Sequence, residues 1–385
     1  MATRYCVGTG VFRYWTDTSI WSSSSGGAGG ASYPTAADDV VIDSNSGASI
    51  FYIRCTDTGF NPISAECNNL TCSANAKGQI NMPYPGGFGT LRVYGNYSVA
   101  STARPVVDEI GNSFFLSATS GSKTIDTNGL AHGEIVIDGG ATYTLLSNLT
   151  GGLADEEQRF FLLAGTLDIN GKTVRVGAFI SSGNVLRSVQ FTGGGTMHLG
   201  AMNQNDVAGL SLSGTNWSYD AARTGTTKLV SAHYVTDNIA GLSVSGGNAN
   251  FGTLLVSTSN DMTDTSAVIS LPAGTYVKTM QLDGSALTVH DCGIALPTSG
   301  QVTVEGIQVL SGSSKAARVH IKSATAGTKG NLDLFSAYLL KPDNLTFTDV
   351  NATHGPIFAG ANAINGGNNA GVLFGKKIPG FGALL

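Results

Sequence analysis

Two stretches read almost alike: Asp206-Val-Ala-Gly-Leu-Ser-Leu-Ser-Gly-Thr-Asn216 and Asn238-Ile-Ala-Gly-Leu-Ser-Val-Ser-Gly-Gly-Asn248. Seven of eleven positions are identical, at an offset of 32 residues. Within each, apolar residues alternate with Ser, the period of a strand with one buried face. Gly and Asn close the far ends, where the chain has to turn. Self-similarity at a fixed period in strand-and-turn sequence marks a solenoid, in which each coil repeats the path of the last. In that register Leu210 and Leu212 occupy the same coil positions as Leu242 and Val244, in one interior column.

The stretch Gly165-Thr-Leu-Asp-Ile-Asn-Gly-Lys-Thr-Val-Arg-Val-Gly177 repeats the grammar as strand, Asn-Gly corner, strand. Asn and Gly tolerate the positive φ that such corners demand. Similar alternation recurs over Asp39–Asp43, Thr90–Tyr94, Gly133–Asp138, Ser188–Thr192, Thr196–Leu199, Ala286–His290, Gln301–Glu305, Ala317–Lys322 and Asn331–Phe335. Helical periodicity is nearly absent; the best candidate, Ala154–Arg159, supports one turn or a charged loop. So many short strands between Gly and Asn turns predict an all-β fold. A β-solenoid of right-handed parallel β-helix type is favoured, with β-sandwich domains as the alternative.

Composition agrees. Of 385 residues 52 are Gly, 77 are Ser or Thr and 26 are Asn, while charged residues make up only 12%. A typical chain carries about 25% charge. With 42% hydrophobic residues the chain has material for a core and is not a disordered solvating segment. Stacked Ser, Thr and Asn side chains can satisfy one another along a solenoid face. A net charge of −5 without basic runs argues against nucleic-acid binding. No stretch approaches the roughly 18 apolar residues of a membrane helix, so no membrane insertion is expected. No secretory leader is evident in the first fifteen residues, which implies a protein made in a cytoplasm. Six Asn-X-Ser/Thr triplets, among them those at Asn69, Asn96 and Asn148, then read as a product of composition rather than as glycosylation sites.

The sequence divides in three: an N-terminal β-rich attachment segment, residues 1–60; a strand-rich body, 61–350; and a Gly/Asn-rich tail, 351–385. The tail ends in Lys376-Lys-Ile-Pro-Gly-Phe-Gly-Ala-Leu-Leu385. Such an apolar end is uncomfortable in water and packs on the body or on another subunit. Ile378, Phe381, Leu384 and Leu385 are therefore the candidate subunit contacts. Exposed coil ends invite association, and a homotrimer is the first expectation.

Few residues point to chemistry. Glycan-cleaving β-helices need carboxylates on one face. The candidates are Asp108 with Glu109, Glu134 with Asp138, and Asp155 with Glu156 and Glu157. Glu134 and Asp138 share a face if Gly133–Asp138 is one strand. Charge on a solenoid surface and strand-ending Asp residues explain them equally. The histidines, at 132, 198, 233, 290, 320 and 354, make no close sequence pair. Cys6, Cys55, Cys67, Cys72 and Cys292 contain no CxxC. They read as small buried thiols, with a Cys67–Cys72 or Cys55–Cys67 bridge as the alternative. Trp15, Trp21 and Trp217 suit core packing, sugar stacking or subunit contact. No nucleotide, serine-hydrolase or zinc-protease motif is present, and no catalytic, cofactor or metal residue is assigned.

The opening Tyr14-Trp-Thr-Asp-Thr-Ser-Ile-Trp-Ser22, with Gly26–Ser32, Pro34 and Asp38-Asp-Val-Val-Ile-Asp43, resembles the start of β-helical virion proteins of tailed bacteriophages. So does Gly165–Trp217, with its LDINGKTV core and GTNW ending. Phe347–Thr353, Phe358–Asn362, Asn365–Asn369, Gly371 and Phe374 resemble the same proteins, from which the chain departs by running on past Phe374. The resemblance implies a structural, non-enzymatic virion appendage, a tail fibre or a head fibre or decoration protein. Its partners would be capsid or tail proteins, copies of itself and host surface glycan. Two alternatives stay open: a polysaccharide-cleaving tailspike and a secreted adhesin.

Overall fold

The computed structural model describes residues 1–8, 12–47, 51–55, 57, 61–82, 89–100, 107–108, 114–151, 159–200, 209–220, 225–231, 241–244, 248–258, 267–283, 292–311, 319–334, 339–340, 345–359 and 363–375. They fall in two compact units, residues 1–188 and 189–385. Strands form where apolar and polar residues alternate. In Thr142–Leu145, for example, Tyr143 and Leu145 are buried while Thr142 and Thr144 are half-exposed. The single helical element among the described residues is the short turn Thr18–Ile20, capped by the Asp17 side chain.

In the first unit the strands stack into parallel ladders. One ladder runs Thr3–Cys6, Asp39–Ile42, Leu70–Cys72, Tyr97–Val99, Ser122–Asp126, Thr142–Leu145 and Gly165–Asp168. A second face is built first from Phe12–Tyr14, Phe51–Arg54, Gly78–Met82 and Val107–Asp108. Later coils build it from Ala131–His132, Leu149–Gly151 and Thr173–Val176. The third runs Ser64–Cys67, Thr90–Val93, Phe114–Leu116, Ile135–Ile137, Arg159–Leu162 and Ala178–Ser181. Successive strands visit the three faces in turn, so every circuit is one coil of a parallel β-solenoid. Among the described residues the ladders are parallel, not the antiparallel sheets of a sandwich. The one antiparallel pairing among these sets Tyr5 opposite Ser22.

The second unit obeys the same rule with a change of shape. Gly209–Leu212 lies beside Gly241–Val244, Leu210 paired with Leu242 and Leu212 with Val244. The 32-residue offset of the sequence repeat is therefore one coil. Asn248–Thr258 then pairs at its start with Trp217–Asp220 and at its end with Thr226–Ser231. One long strand thus takes over from two. It is followed by Tyr276–Asp283 and Val302–Ser311. Ala267–Ser270, Cys292–Leu296, Val319–Ser323, Leu345–Thr348 and Ile364–Asn365 form the opposite face.

The core is a set of columns perpendicular to the strands. Val40, Leu70, Tyr97, Ile125 and Leu145 are successive register partners or lie directly in line, and all are fully buried. Leu91, Phe114, Ile135, Phe160 and Phe179 form a second column, in which the Phe160 and Phe179 rings stack at 5.4 Å. In the second unit Phe191, Tyr219 and Phe251 form a stack with centroid spacings of 5.4 and 5.2 Å. Each such side chain contributes about 1.5–3 kcal/mol on burial. Corners take the expected form: Asn170 and Gly171 both sit at positive φ, 49° and 69°.

Residues 154–158 of the helical candidate lie outside the described residues, and Arg159 opens a strand. Ala286–His290 also lies outside them, as do Ile378, Phe381, Leu384 and Leu385.

Candidate functional site

Polar side chains in this fold work first on the coils themselves. Asp39 Oδ1 accepts from Asn68 Nδ2 at 2.8 Å, Asn69 Nδ2 at 2.8 Å and the Asn69 amide at 3.2 Å. Asn69 Oδ1 accepts from the Asn96 amide at 2.7 Å, and Asn96 Oδ1 from the Thr124 amide at 2.9 Å. Asn148 Oδ1 repeats the device with the Thr173 amide at 2.9 Å. At these corners an asparagine thus satisfies an amide of the next coil. Two of the Asn-X-Ser/Thr triplets, at Asn69 and Asn96, are engaged in this ladder, and Asn148 uses the same device on the second face.

Of the carboxylate candidates, Asp108, Glu134 and Asp138 lie among the described residues. The strand holding Glu134 and Asp138 in the sequence reading shrinks to Ile135–Ile137, with all three residues buried. Asp138 accepts from Arg92 Nη1 and Ser117 Oγ, both at 2.6 Å. It is one partner of a half-exposed ion pair. Asp108 lies in a strand beside Met82. Glu109, Asp155, Glu156 and Glu157 lie outside the described residues.

The histidines also part company. His132 is buried, with Nε2 2.8 Å from the Tyr97 hydroxyl and its ring against Phe114 and Tyr97. Burial pushes its pKa down to about 4. His198 and His320 lie in strands, and His233 and His290 lie outside the described residues. Cys6, Cys55, Cys67 and Cys72 are buried free thiols. Trp15 and Trp21 are buried edge to face at 5.2 Å, and Trp21 Nε1 donates to the Trp15 carbonyl at 2.8 Å. Trp217 is buried as well.

One cluster escaped the sequence reading. On the second unit Tyr276, Thr303, Asp333 and Thr353 are register partners in one column. Asp333, only 6% exposed, accepts from Gln301 Nε2 at 3.0 Å and Thr303 Oγ1 at 3.4 Å. Its other oxygen lies 2.6 Å from His354 Nδ1. The His354 side chain is 71% exposed. Nearby, the Tyr276 hydroxyl donates to Glu305 Oε1. A buried carboxylate that fixes an exposed imidazole can present one ring nitrogen to a polar ligand. Asp333 and His354 stand 21 residues apart, so only the coil path reveals their meeting.

Among the described residues no group of three or more His, Cys, Asp or Glu could hold a metal ion. Compared with known proteins, the chain matches no protein-family model, no curated protein and no solved structure.

Proposed function

We propose that this chain is a non-enzymatic structural protein of a tailed-bacteriophage virion, a tail fibre or a head fibre or decoration protein, working as a homotrimer. Its work is mechanical: one end docks on capsid or tail proteins, and the surface meets the host, including its glycans. The observation that carries the reading is the asparagine ladder Asp39–Asn69–Asn96–Thr124, which ties coil to coil beside fully buried columns. A stack bonded through both backbone and side chains gives stiffness along its axis, the property an appendage needs. The resemblance of Tyr14–Ser22, Gly165–Trp217 and Phe347–Phe374 to phage virion proteins supports the same reading.

Particles purified on a density gradient test it. Peptides of this chain should be found in them at a fixed ratio to the capsid protein, and antibody against it should label an appendage. Confinement of the chain to the soluble host fraction would reject the reading. A second reading, a polysaccharide-cleaving tailspike, draws on the Asp333–His354 pair on the strand next to the one that carries Glu305. Release of reducing sugar from capsular glycans, abolished by Asp333→Asn, would favour it over the first.

A further inference from the structure

Asn-Gly occurs three times in this chain, at Asn128-Gly129, Asn170-Gly171 and Asn365-Gly366. The pair is the one most open to spontaneous deamidation. The glycine amide nitrogen attacks the asparagine side-chain carbonyl carbon, and no Cβ on the glycine hinders the approach. Local sequence does not separate the three, since a β-branched residue, Thr127, Ile169 or Ile364, precedes each. Differences in rate therefore come from what the fold does to the two reacting groups, the asparagine carboxamide and the next amide nitrogen.

The first two pairs are matched in backbone. Asn128 and Asn170 sit at φ 50° and 49°, Gly129 and Gly171 at 77° and 69°. Leu130 N–H closes one turn on the Thr127 carbonyl at 2.9 Å, and Lys172 N–H closes the other on the Ile169 carbonyl at 3.0 Å. Asp126 Oδ1 accepts from the Asn128 amide, and Asp168 Oδ1 from the Asn170 amide, each at 3.0 Å. The carboxamides differ. Asn170 is half-buried, and its Nδ2 donates to the Leu145 carbonyl at 2.9 Å. Asn365 is exposed but held: its Oδ1 accepts from the Gly367 amide at 3.0 Å and from Asn369 Nδ2 at 2.8 Å. Its nucleophile is occupied too, because the Gly366 amide donates to the Phe347 carbonyl at 2.8 Å. Asn128 and Gly129 are both exposed. Among the described residues neither the Asn128 carboxamide nor the Gly129 amide finds a hydrogen-bond partner. A Cβ built on Gly129 would meet nothing within 4 Å.

We infer that Asn128-Gly129 is the site at which the folded chain modifies itself, and that the modification unties a corner of the solenoid. The Gly129 nitrogen bonds to Asn128 Cγ and gives up its proton. The Cγ–Nδ2 bond breaks, ammonia leaves with that proton, and a cyclic succinimide remains. Water then opens the ring. Attack at Cγ gives an aspartyl residue; attack at the Asn128 main-chain carbonyl gives an isoaspartyl residue, with an extra methylene in the backbone. Nothing is oxidised or reduced, and water is the only co-reactant. Either product sets a new carboxylate close to Asp126, whose Oδ1 already faces the Asn128 amide, and like charges repel. The isoaspartyl form also shifts the backbone where the Asn128 amide donates to Ser147 Oγ of the next coil at 2.8 Å. The tie between those coils is therefore lost on a clock set by time and alkalinity, with no enzyme needed.

The test incubates the full chain at mildly alkaline pH, folded and in guanidinium, and follows each asparagine by peptide mass spectrometry. A hydrogen bond that must open first slows a site about two- to tenfold. In the folded chain Asn128 should therefore convert about two- to tenfold faster than Asn170, and faster still than Asn365, where three bonds hold the reacting groups. In guanidinium the three rates should converge. Asn128→Gln should remove the first product to appear and leave the other two rates unchanged. If Asn170 or Asn365 keeps pace with Asn128 in the folded chain, or if Asn128 converts only in guanidinium, the site is wrongly placed. Hydrogen exchange reads the consequence: residues 127–130 should exchange faster in the converted chain than in fresh protein. Equal exchange would overturn the untying of the corner.

Discussion

Leu210 lies directly beside Leu242 in adjacent parallel strands, and Leu212 beside Val244. The sequence repeat is therefore physical: equal residues occupy equal places on successive coils. Leu210 and Leu212 are each about 1% exposed.

Leu212→Asp should unfold the second unit. A lone carboxylate in an apolar column has no partner and costs several kcal/mol, a large part of a domain's whole stability. Thermal denaturation checks this. A melting temperature equal to wild type would remove Leu212 from the core.

Asn96→Ala should destabilise the first unit by about 0.5–1.5 kcal/mol, because the Thr124 amide exchanges its acceptor for water at an exposed corner. Asn96→Asp retains an acceptor there and should recover much of the loss. Urea titration of the three proteins gives the comparison. Equal midpoints would mean that the ladder carries no stability.

Acid should loosen the coils around His132. Its folded pKa, about 4, lies below the ordinary value of 6.5. Between those values the unfolded chain binds the proton and the folded chain does not, so stability rises with pH through this window. The contribution is complete above pH 6.5 and is lost as pH falls through about 4. It amounts to about 3 kcal/mol at 1.36 kcal/mol per pKa unit. His132→Gln should flatten this part of the profile of melting temperature against pH. A parallel profile for the variant would contradict the assignment.

Thiols in the first unit should be inert in the folded chain. Burial pushes Cys6 and Cys72 up to about 12, and Cys67 well above its ordinary value. Almost no thiolate then exists at pH 8. A chromogenic disulfide reagent should find at most one reactive thiol, Cys292, until denaturant is added. Prompt reaction of two or more would contradict this.

What the sequence made legible follows from distance along the chain. Alternation and Asn-Gly corners are local, so Thr173–Val176 and the Asn170-Gly171 turn could be read directly. The repeat at Leu210 and Leu242 was visible because that coil's two strands kept nearly the same residues. Other coils hid themselves. Register partners lie 30 residues apart at Val40 and Leu70 but 20 apart at Ser122 and Thr142. No single period can show that spread. Contacts made across coils, such as Asp333 with His354 or Tyr97 with His132, depend on those unequal lengths and carry no local signature. The buried column through Phe160 was hidden for another reason. Phe160-Phe161-Leu162 reads as one apolar cluster, and only the register tells which ring faces out.

The most direct measurement of the central claim is cryo-electron microscopy of gradient-purified particles. The expected result is an appendage whose density shows rungs about 4.8 Å apart and accepts the ladders of both units, with Leu210 beside Leu242 in neighbouring rungs. An appendage of another fold, or particles from which this chain is absent, would contradict it.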